Sequence, residues 1–166
     1  MKDKLKKYIE DNLVKDNDNN GIFGTLFKSA RARYVEEDVC EGASINNFID
    51  NNKSDNKFQK LLFKYIDDRG LKDSDVYNKV HIDRRLFSKI RNDIDYHPSK
   101  DTVILLGISL ELSIDELIEL LNSASYSLPY NNHYDLIIRF CFIEGIYNLI
   151  DINELLSLYG CKLFNY

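Results

Sequence analysis

The chain of 166 residues has only two prolines, seven glycines and no tryptophan. So little proline and glycine argues against a loop-rich or disordered chain, because these residues interrupt regular structure. No apolar run approaches the 18 or so residues that a membrane-spanning helix requires. The charged N-terminal stretch MKDKLKKYIEDN is not typical of a signal peptide. We therefore expect a cytoplasmic protein that binds no membrane.

Residues that commonly bind metals or perform catalysis are sparse. Three cysteines, Cys40, Cys141 and Cys161, are widely spaced, with no CxxC pair and no histidine at metal-ligand spacing. The three histidines have no partner at a catalytic spacing, and no glycine-rich phosphate-binding motif is present. The sequence therefore predicts no metal, no structural disulfide, no cofactor and no catalytic residue, and so a protein that is not an enzyme.

Charge is unevenly distributed along the chain. The formal net charge is −5, but residues 79–91 hold five basic residues and one acid, a net charge of +4. Residues 102–166 hold two basic residues and eight acids, a net charge of −6. A basic segment on an acidic body is compatible with nucleic-acid binding but does not require it, since only the contact surface must attract phosphates.

Residues 1–55 give a mixed pattern. Apolar residues at helical spacing predict a helix over residues 2–15, followed by the loop sequence KDNDNNGIFG. TLFKSARARYVEEDV, at residues 25–39, favours a second helix with a basic side, and an Asn-rich linker follows. We interpret residues 1–55 as a helical and irregular extension.

Five helical patterns follow one another over residues 58–124, so an all-α fold is expected. The first has an apolar stripe and ends before Gly70, which is suited to a left-handed C-terminal cap. The fourth, TVILLGISLE, is mostly apolar, as a central helix would be, and follows a predicted cap at Ser99. The fifth opens with Ser113 and Glu116, a capping box.

The second and third patterns lie in DSDVYNKVHIDRRLFSKIRN, residues 73–92. We expect Asp73 or Ser74 to cap a short helix, a turn at His81–Ile82, and Asp83 to cap the next helix. The apolar residues of that next helix are expected to face inward: Leu86, Phe87 and Ile90. This orientation exposes the candidate binding residues: Arg84, Arg85, Ser88, Lys89 and Arg91.

Residues 126–166 are interpreted as a helical extension packed on the five helices. YDLIIRFCFIEGIYNLI, residues 134–150, is apolar nearly all round, as expected of a helix buried on several sides. It predicts either a core helix or an interface with a second copy or a partner. The following helix, DINELLSLYG, has Asp151 and Glu154 at cap spacing and Gly160 as a stop.

Residues 57–124 resemble the Cro/C1-type helix-turn-helix domain of the XRE family. VYNKVHID (residues 76–83) lies where that family has its turn, and LFSKI (86–90) matches the core of its recognition helix. PSKDTVILLGISLELSIDEL (98–117) matches its loop, its fourth helix and the start of its fifth. The resemblance implies a five-helix DNA-binding bundle over residues 56–125, and family members often bind as homodimers. Residues 71–166 are also similar, more loosely, to helix-turn-helix tails attached to bacterial effector domains such as macro domains.

Three residues depart from the family pattern. His81 replaces the turn glycine, so either it adopts a left-handed backbone or the turn is reshaped. Asp73 replaces a glutamine that contacts phosphate, and a carboxylate repels phosphate. Arg91 replaces a glutamate near the end of the recognition helix, which adds positive charge. Asp73 thus argues against DNA binding and Arg91 argues for it.

Two functions remain open at this point. The first is a DNA-binding transcriptional regulator, with Arg84 and Arg85 on bases or phosphates and Lys89 and Arg91 on the backbone. The second is a protein-binding adaptor, or an inhibitor of a bacterial defence or signalling effector, that uses the same scaffold without DNA. A third interpretation makes the basic residues a solvated helix face, with Asp93 and Asp95 as partners.

Overall fold

The computed structural model describes residues 1–13 and 57–165, and all regular structure within these ranges is helical. The all-α prediction is therefore confirmed for the described residues. Their helices, in chain order, are α1 (Lys2–Asn12), α2 (Lys57–Asp68), α3 (Asp73–Lys79), α4 (Arg84–Asn92), α5 (Lys100–Ser109), α6 (Ile114–Ser123), α7 (His133–Ile143) and α8 (Leu149–Leu158). The helix predicted over residues 25–39 lies outside the described residues, as does Cys40.

Helix α5 lies at the centre of the bundle, as its apolar sequence predicted. Val103, Ile104 and Leu106 have no exposed surface, and α3 and α6 both pack against the helix. Gly107 faces α6 and α7 so closely that an added Cβ would lie 2.8 Å from Leu117 Cδ1. Because the interior is packed to near-crystalline density, α5 fixes the position of α3, and through it the helix that follows.

The predicted capping box at the start of α6 is confirmed. The Ser113 hydroxyl accepts a hydrogen bond from the Glu116 N–H at 3.3 Å, and the Glu116 carboxylate accepts one from the Ser113 N–H at 2.8 Å. Burial alone would raise the pKa of Glu116. The hydrogen bond from the Ser113 N–H and the Arg69 guanidinium, 2.9 Å from Glu116 Oε1, have the opposite and larger effect, so the pKa lies below its ordinary value. The Arg69–Glu116 ion pair thereby joins α2 to α6.

The predicted cap of α3 is wrong. Lys72, with an extended backbone, is the N-terminal cap residue, and Asp73 is the first residue of the helix. The Asp75 carboxylate accepts from the N–H of Lys72 at 3.4 Å, so the acid three residues into the helix bonds back to the cap residue. The Asp73 carboxylate is consequently available for another contact.

The single helix predicted over residues 134–150 is also corrected, because α7 ends at Ile143 and α8 begins at Leu149. Gly145 takes a φ of +69°, and the Ile146 N–H donates to the Cys141 carbonyl at 2.7 Å, a left-handed helix end. Asn148, rather than Asp151, caps α8 by accepting from the Ile150 N–H at 2.9 Å.

The break lets α8 pack back on α7. Much of α7 is core, because Leu136, Ile137 and Ile138 have no exposed surface. The break also leaves two apolar side chains on the surface, Ile143 at 51% and Ile150 at 64% exposed.

Helix α1 packs on α7 and so joins the two described ranges of the chain. Leu5 and Ile9 are buried, and the Tyr8 and Phe140 rings lie 5.7 Å apart. None of the described helices is both long enough and apolar enough to cross a bilayer.

Ion pairs connect the start of α5 to the C-terminal part of the chain. Lys100 Nζ lies 2.5 Å from the carboxylate of Asp135, whose side chain is only 4% exposed. The Asp101 carboxylate accepts from the Tyr134 hydroxyl at 2.8 Å and from Lys162 Nζ at 2.6 Å. Burial alone would raise the pKa of Asp101. The two hydrogen bonds have the opposite and larger effect, so the pKa lies below its ordinary value.

Candidate functional site

A tight turn joins α3 to α4 where the sequence placed it. His81 takes a φ of +54°, and the Ile82 N–H donates to the Tyr77 carbonyl at 2.9 Å. His81 therefore adopts the left-handed backbone that favours glycine. Ile82 is buried at 7% exposure and attaches the turn to the core.

Helix α4 is held on the bundle by its apolar side. Phe87 and Ile90 are each 2% exposed, as predicted. The Phe87 ring lies 5.5 Å from the Tyr77 ring of α3 and 6.2 Å, edge-on, from the Phe63 ring of α2. Leu86 is only half-buried, so the inward stripe is narrower than the sequence predicted.

Asp83 caps the start of α4 as predicted, since its carboxylate accepts from the Arg85 N–H at 2.6 Å. At the other end, the Gln59 amide donates to the Ile90 carbonyl at 3.0 Å and to the Arg91 carbonyl. These bonds satisfy carbonyls that a helix end leaves without an intrahelical partner. Both ends of α4 are therefore fixed.

All five candidate binding residues are exposed, and they form two neighbouring stripes on α4. Arg84, Ser88 and Arg91, spaced i, i+4 and i+7, line a groove of about 390 Å³ between α3 and α4. Arg85 and Lys89 form the second stripe, on which Lys89 Nζ lies 4.7 Å above the centre of the Tyr96 ring. The remaining residues that line the groove are Lys72, Asp73, Ser74, Tyr77 and Phe87.

Arg91 is engaged by two neighbours. Its Nη2 atom lies 2.5 Å from Asp73 Oδ1, and its guanidinium carbon lies 4.1 Å above the centre of the Phe63 ring. Asp73 and Arg91 both depart from the family pattern, one by adding negative and the other by adding positive charge, and in the structure they neutralise each other. Neither sequence departure alone predicted this pair, because the residues are 18 positions apart and on different helices.

Arg84 and Arg85 occupy the first turn of α4, and neither forms an ion pair with another residue of the described ranges. Backbone N–H groups and the helix dipole make that end of the helix positive. Two cations there are unfavourable by roughly 0.3–1 kcal/mol each, while any anion nearby is favoured. The first turn of α4 therefore carries two cations, partly offset by the single carboxylate of the cap residue Asp83.

The sequence around the site is basic and the rest of the described bundle is acidic. Residues 57–92 contain ten basic and five acidic residues, whereas residues 93–165 contain three basic and eleven acidic ones. Within the described part of the chain, Asp93 and Asp95 form no ion pair with α4; the Asp93 carboxylate accepts instead from the Asp95 N–H at 3.2 Å. The basic segment at residues 28–33 lies outside the described residues.

A second groove, which the sequence did not indicate, lies beside the turn. Its volume is about 630 Å³, and it is bounded by the Lys79–Glu111 ion pair, 2.5 Å long, and by residues at the start of α8. Glu111 has a φ of +51°, a second left-handed position for a residue other than glycine. The exposed Ile150 lies at the edge of this groove.

Among the described residues, no cluster of three or more His, Cys, Asp or Glu side chains could hold a metal ion. Cys141 and Cys161 are free thiols. Burial raises the pKa of the Cys141 thiol to about 12, so it is protonated and a poor nucleophile at neutral pH.

Comparison with protein-family models, curated proteins and solved structures found no match to this chain. Functional inference therefore depends on the geometry of α3, the turn and α4.

Proposed function

We propose that the chain is a non-enzymatic DNA-binding protein of the helix-turn-helix class that acts as a transcriptional regulator in the cytoplasm. In this proposal α3 and α4 are the two helices of the motif, and α4 lies in the major groove. The proposed fold assignment is the five-helix Cro/C1 arrangement, formed by α2–α6. It is supported by the order of the five helices, the turn at His81 and the inward side of α4.

The observation that carries the proposal is the pair of exposed arginines at the start of α4. Arg84 and Arg85 lie at the positive end of the helix dipole, where cations destabilise the folded protein. The Asp83 carboxylate caps this end by accepting from the Arg85 N–H at 2.6 Å, and among the described residues neither guanidinium has an ion-pair partner. Placing two such residues there is unfavourable unless something negative approaches them. Phosphates and the acceptor atoms of guanine are ligands that arginine binds bidentately.

The other candidate residues fit supporting roles in this proposal. Lys89, at the second half of α4, would contact the phosphate backbone, as would Arg91. Ser88, between the two ends, would reach a base edge or a phosphate. The protein would bind as a homodimer, which would set two copies of α4 about one turn of DNA, roughly 34 Å, apart.

A protein-binding adaptor or inhibitor is the second candidate function. Two observations favour it: Asp73 already neutralises Arg91, and residues 93–165, with eleven acidic and three basic residues, would repel DNA. In that case Arg84 and Arg85 would meet an acidic protein surface.

Titration of labelled duplex DNA separates these functions. The probes are a random duplex and duplexes from the protein's own gene neighbourhood, each titrated over a range of salt. Arg84→Ala and Arg85→Ala should each weaken binding by about 1–3 kcal/mol, and affinity should fall steeply with salt. The matched control is Lys6→Ala/Lys7→Ala, which removes two exposed positive charges from α1.

Equal losses in the arginine and lysine variants would mean general charge attraction rather than recognition by α4. Absence of binding by the wild type to every duplex at every salt concentration would reject the regulator. A purified acidic partner whose binding is weakened by Arg84→Ala/Arg85→Ala, but not by the lysine variant, would then support the adaptor.

A further inference from the structure

The groove between α3 and α4 is lined by cationic and hydroxyl-bearing residues that suit a phosphate, and by one carboxylate residue. Three cations border the groove, Lys72, Arg84 and Arg91, together with the hydroxyl groups of Ser74, Ser88 and Tyr77. The one carboxylate among the residues lining this groove is that of Asp73, and it accepts from Arg91 Nη2 at 2.5 Å. A carboxylate and a phosphate bind a guanidinium in the same planar, bidentate manner.

We propose that Asp73 competes with nucleic-acid phosphate for Arg91, so that the ion pair must open before this groove accepts the DNA backbone. The inference rests on the proposed function and assigns a role to a residue that lies outside the five candidate binding residues. Asp73 lowers the affinity of the whole surface for phosphate, both by occupying Arg91 and by its own negative charge.

Exposure of the pair makes the exchange feasible. The Arg91 and Asp73 side chains are 44% and 36% exposed, so water reaches both and the pair is weak. A phosphate that approaches along the groove therefore has to displace only a solvent-exposed carboxylate. A buried pair would instead leave a desolvated charge behind when it opened.

Phe63 holds Arg91 in place during that exchange. The guanidinium carbon lies 4.1 Å above the ring centre, a cation–π contact that does not involve Asp73. The Phe63 ring is itself packed edge-on against Phe87. Once the carboxylate moves away, the guanidinium remains on the ring, with its N–H donors directed toward the groove.

Asp75 provides a matched control within the same helix. It lies two residues after Asp73, is exposed and does not line the groove. Its carboxylate accepts from the Lys72 N–H, a role that an asparagine side-chain oxygen also fills. Asp73→Asn and Asp75→Asn therefore remove the same charge from the same helix, but only Asp73→Asn removes the ionic contact to Arg91.

The test measures binding to a labelled random duplex of about 20 base pairs from low to moderate salt. Near 50 mM salt, Asp73→Asn should tighten binding about two- to tenfold, the range expected from an exposed ion pair and a removed like charge. The slope of log K against log salt should steepen by up to about 0.9, because a phosphate contacts Arg91 in every complex of the variant but only in those wild-type complexes in which the pair has opened. In an Arg91→Ala background the slope should not change on adding Asp73→Asn, and Asp75→Asn should leave it unchanged as well. Thermal unfolding of each variant checks that it is folded.

Several results would overturn the inference. An equal gain from Asp75→Asn, or a gain without a steeper salt slope, would mean that Asp73 acts only as one more negative charge. No gain from Asp73→Asn in a protein whose DNA binding still depends on Arg84 and Arg85 would reject the competition and retain the proposed function. If neither the wild type nor Asp73→Asn binds duplex DNA at any salt, both the competition and the regulator are rejected.

Discussion

Removal of the Phe87 ring should detach α4 from the bundle. Phe87 is 2% exposed and contacts one ring on α2 and one on α3, so its truncation leaves a cavity between three helices. Truncation of a buried phenylalanine to alanine lowers the free energy of unfolding by about 3–5 kcal/mol. The half-buried Phe63 and Tyr77 rings border this cavity and can move to fill part of it, which favours the lower end of that range.

This cost is a large fraction of the stability of a small domain, which is roughly 5–15 kcal/mol. Phe87→Ala should therefore shift the urea midpoint strongly while the protein still folds in the absence of urea. Unfolding is followed by far-ultraviolet circular dichroism, with the free energy extrapolated to zero denaturant. Phe87→Leu, which keeps most of the volume, should cost less than about 1.5 kcal/mol.

Leu86→Ala is the matched control, because Leu86 is the neighbouring apolar residue and is only half-buried. It should cost clearly less than Phe87→Ala. If the two truncations cost the same, or if Phe87→Ala costs less than about 1 kcal/mol, then Phe87 does not anchor α4. The outward direction of Arg84 and Arg85 would then not be set by packing of α4 on the core.

Two further predictions concern the turn at His81 and the dependence of the free energy of unfolding on pH in acid. His81→Asn should be tolerated, whereas His81→Val should cost about 1–2 kcal/mol more in urea unfolding, because a β-branched residue is strained at a φ of +54°; equal effects would refute the strain. The folded-state pKa values of Asp101 and Glu116 lie below their ordinary values of 3.8 and 4.5. Their contribution to stability is therefore present at neutral pH and lost as the pH falls below about 4.5 through the lowered pKa values. Asp101→Asn/Glu116→Gln should make the free energy of unfolding less dependent on pH below that point, and an unchanged acid slope would contradict this reasoning.

Local signals explain why the sequence predicted α2–α6 well. Caps such as Asp83 and the Ser113–Glu116 box act within three residues, and the apolar stripe of a helix repeats within two turns. The left-handed turn at His81 was one of two outcomes that the sequence left open. In the structure His81 has the left-handed backbone, and Ile82 beside it is buried against the core.

The predictions from sequence were wrong where contacts between neighbouring helices determine where a helix begins or ends. An apolar run over residues 134–150 gives no signal for a break except Gly145, and a glycine within a helix is also tolerated at about 1 kcal/mol. The left-handed end at Gly145 occurs where it lets α8 fold back onto α7. The start of α3 was misplaced by one or two residues, since Asp73, Ser74 and Asp75 all offer an oxygen and spacing alone does not choose among them.

The Asp73–Arg91 ion pair reduces the net positive charge that α4 presents at its surface. Treated separately, Asp73 argues against phosphate contact and Arg91 argues for it, and the sequence gives no reason to join them. Together they contribute no net charge, so the positive field over α4 comes from its first turn and from Lys89. Recognition should therefore be concentrated on Arg84 and Arg85, at the end of the helix where the dipole adds to their charge. Under the proposed competition, Arg91 would contribute to binding only when a phosphate has displaced the Asp73 carboxylate.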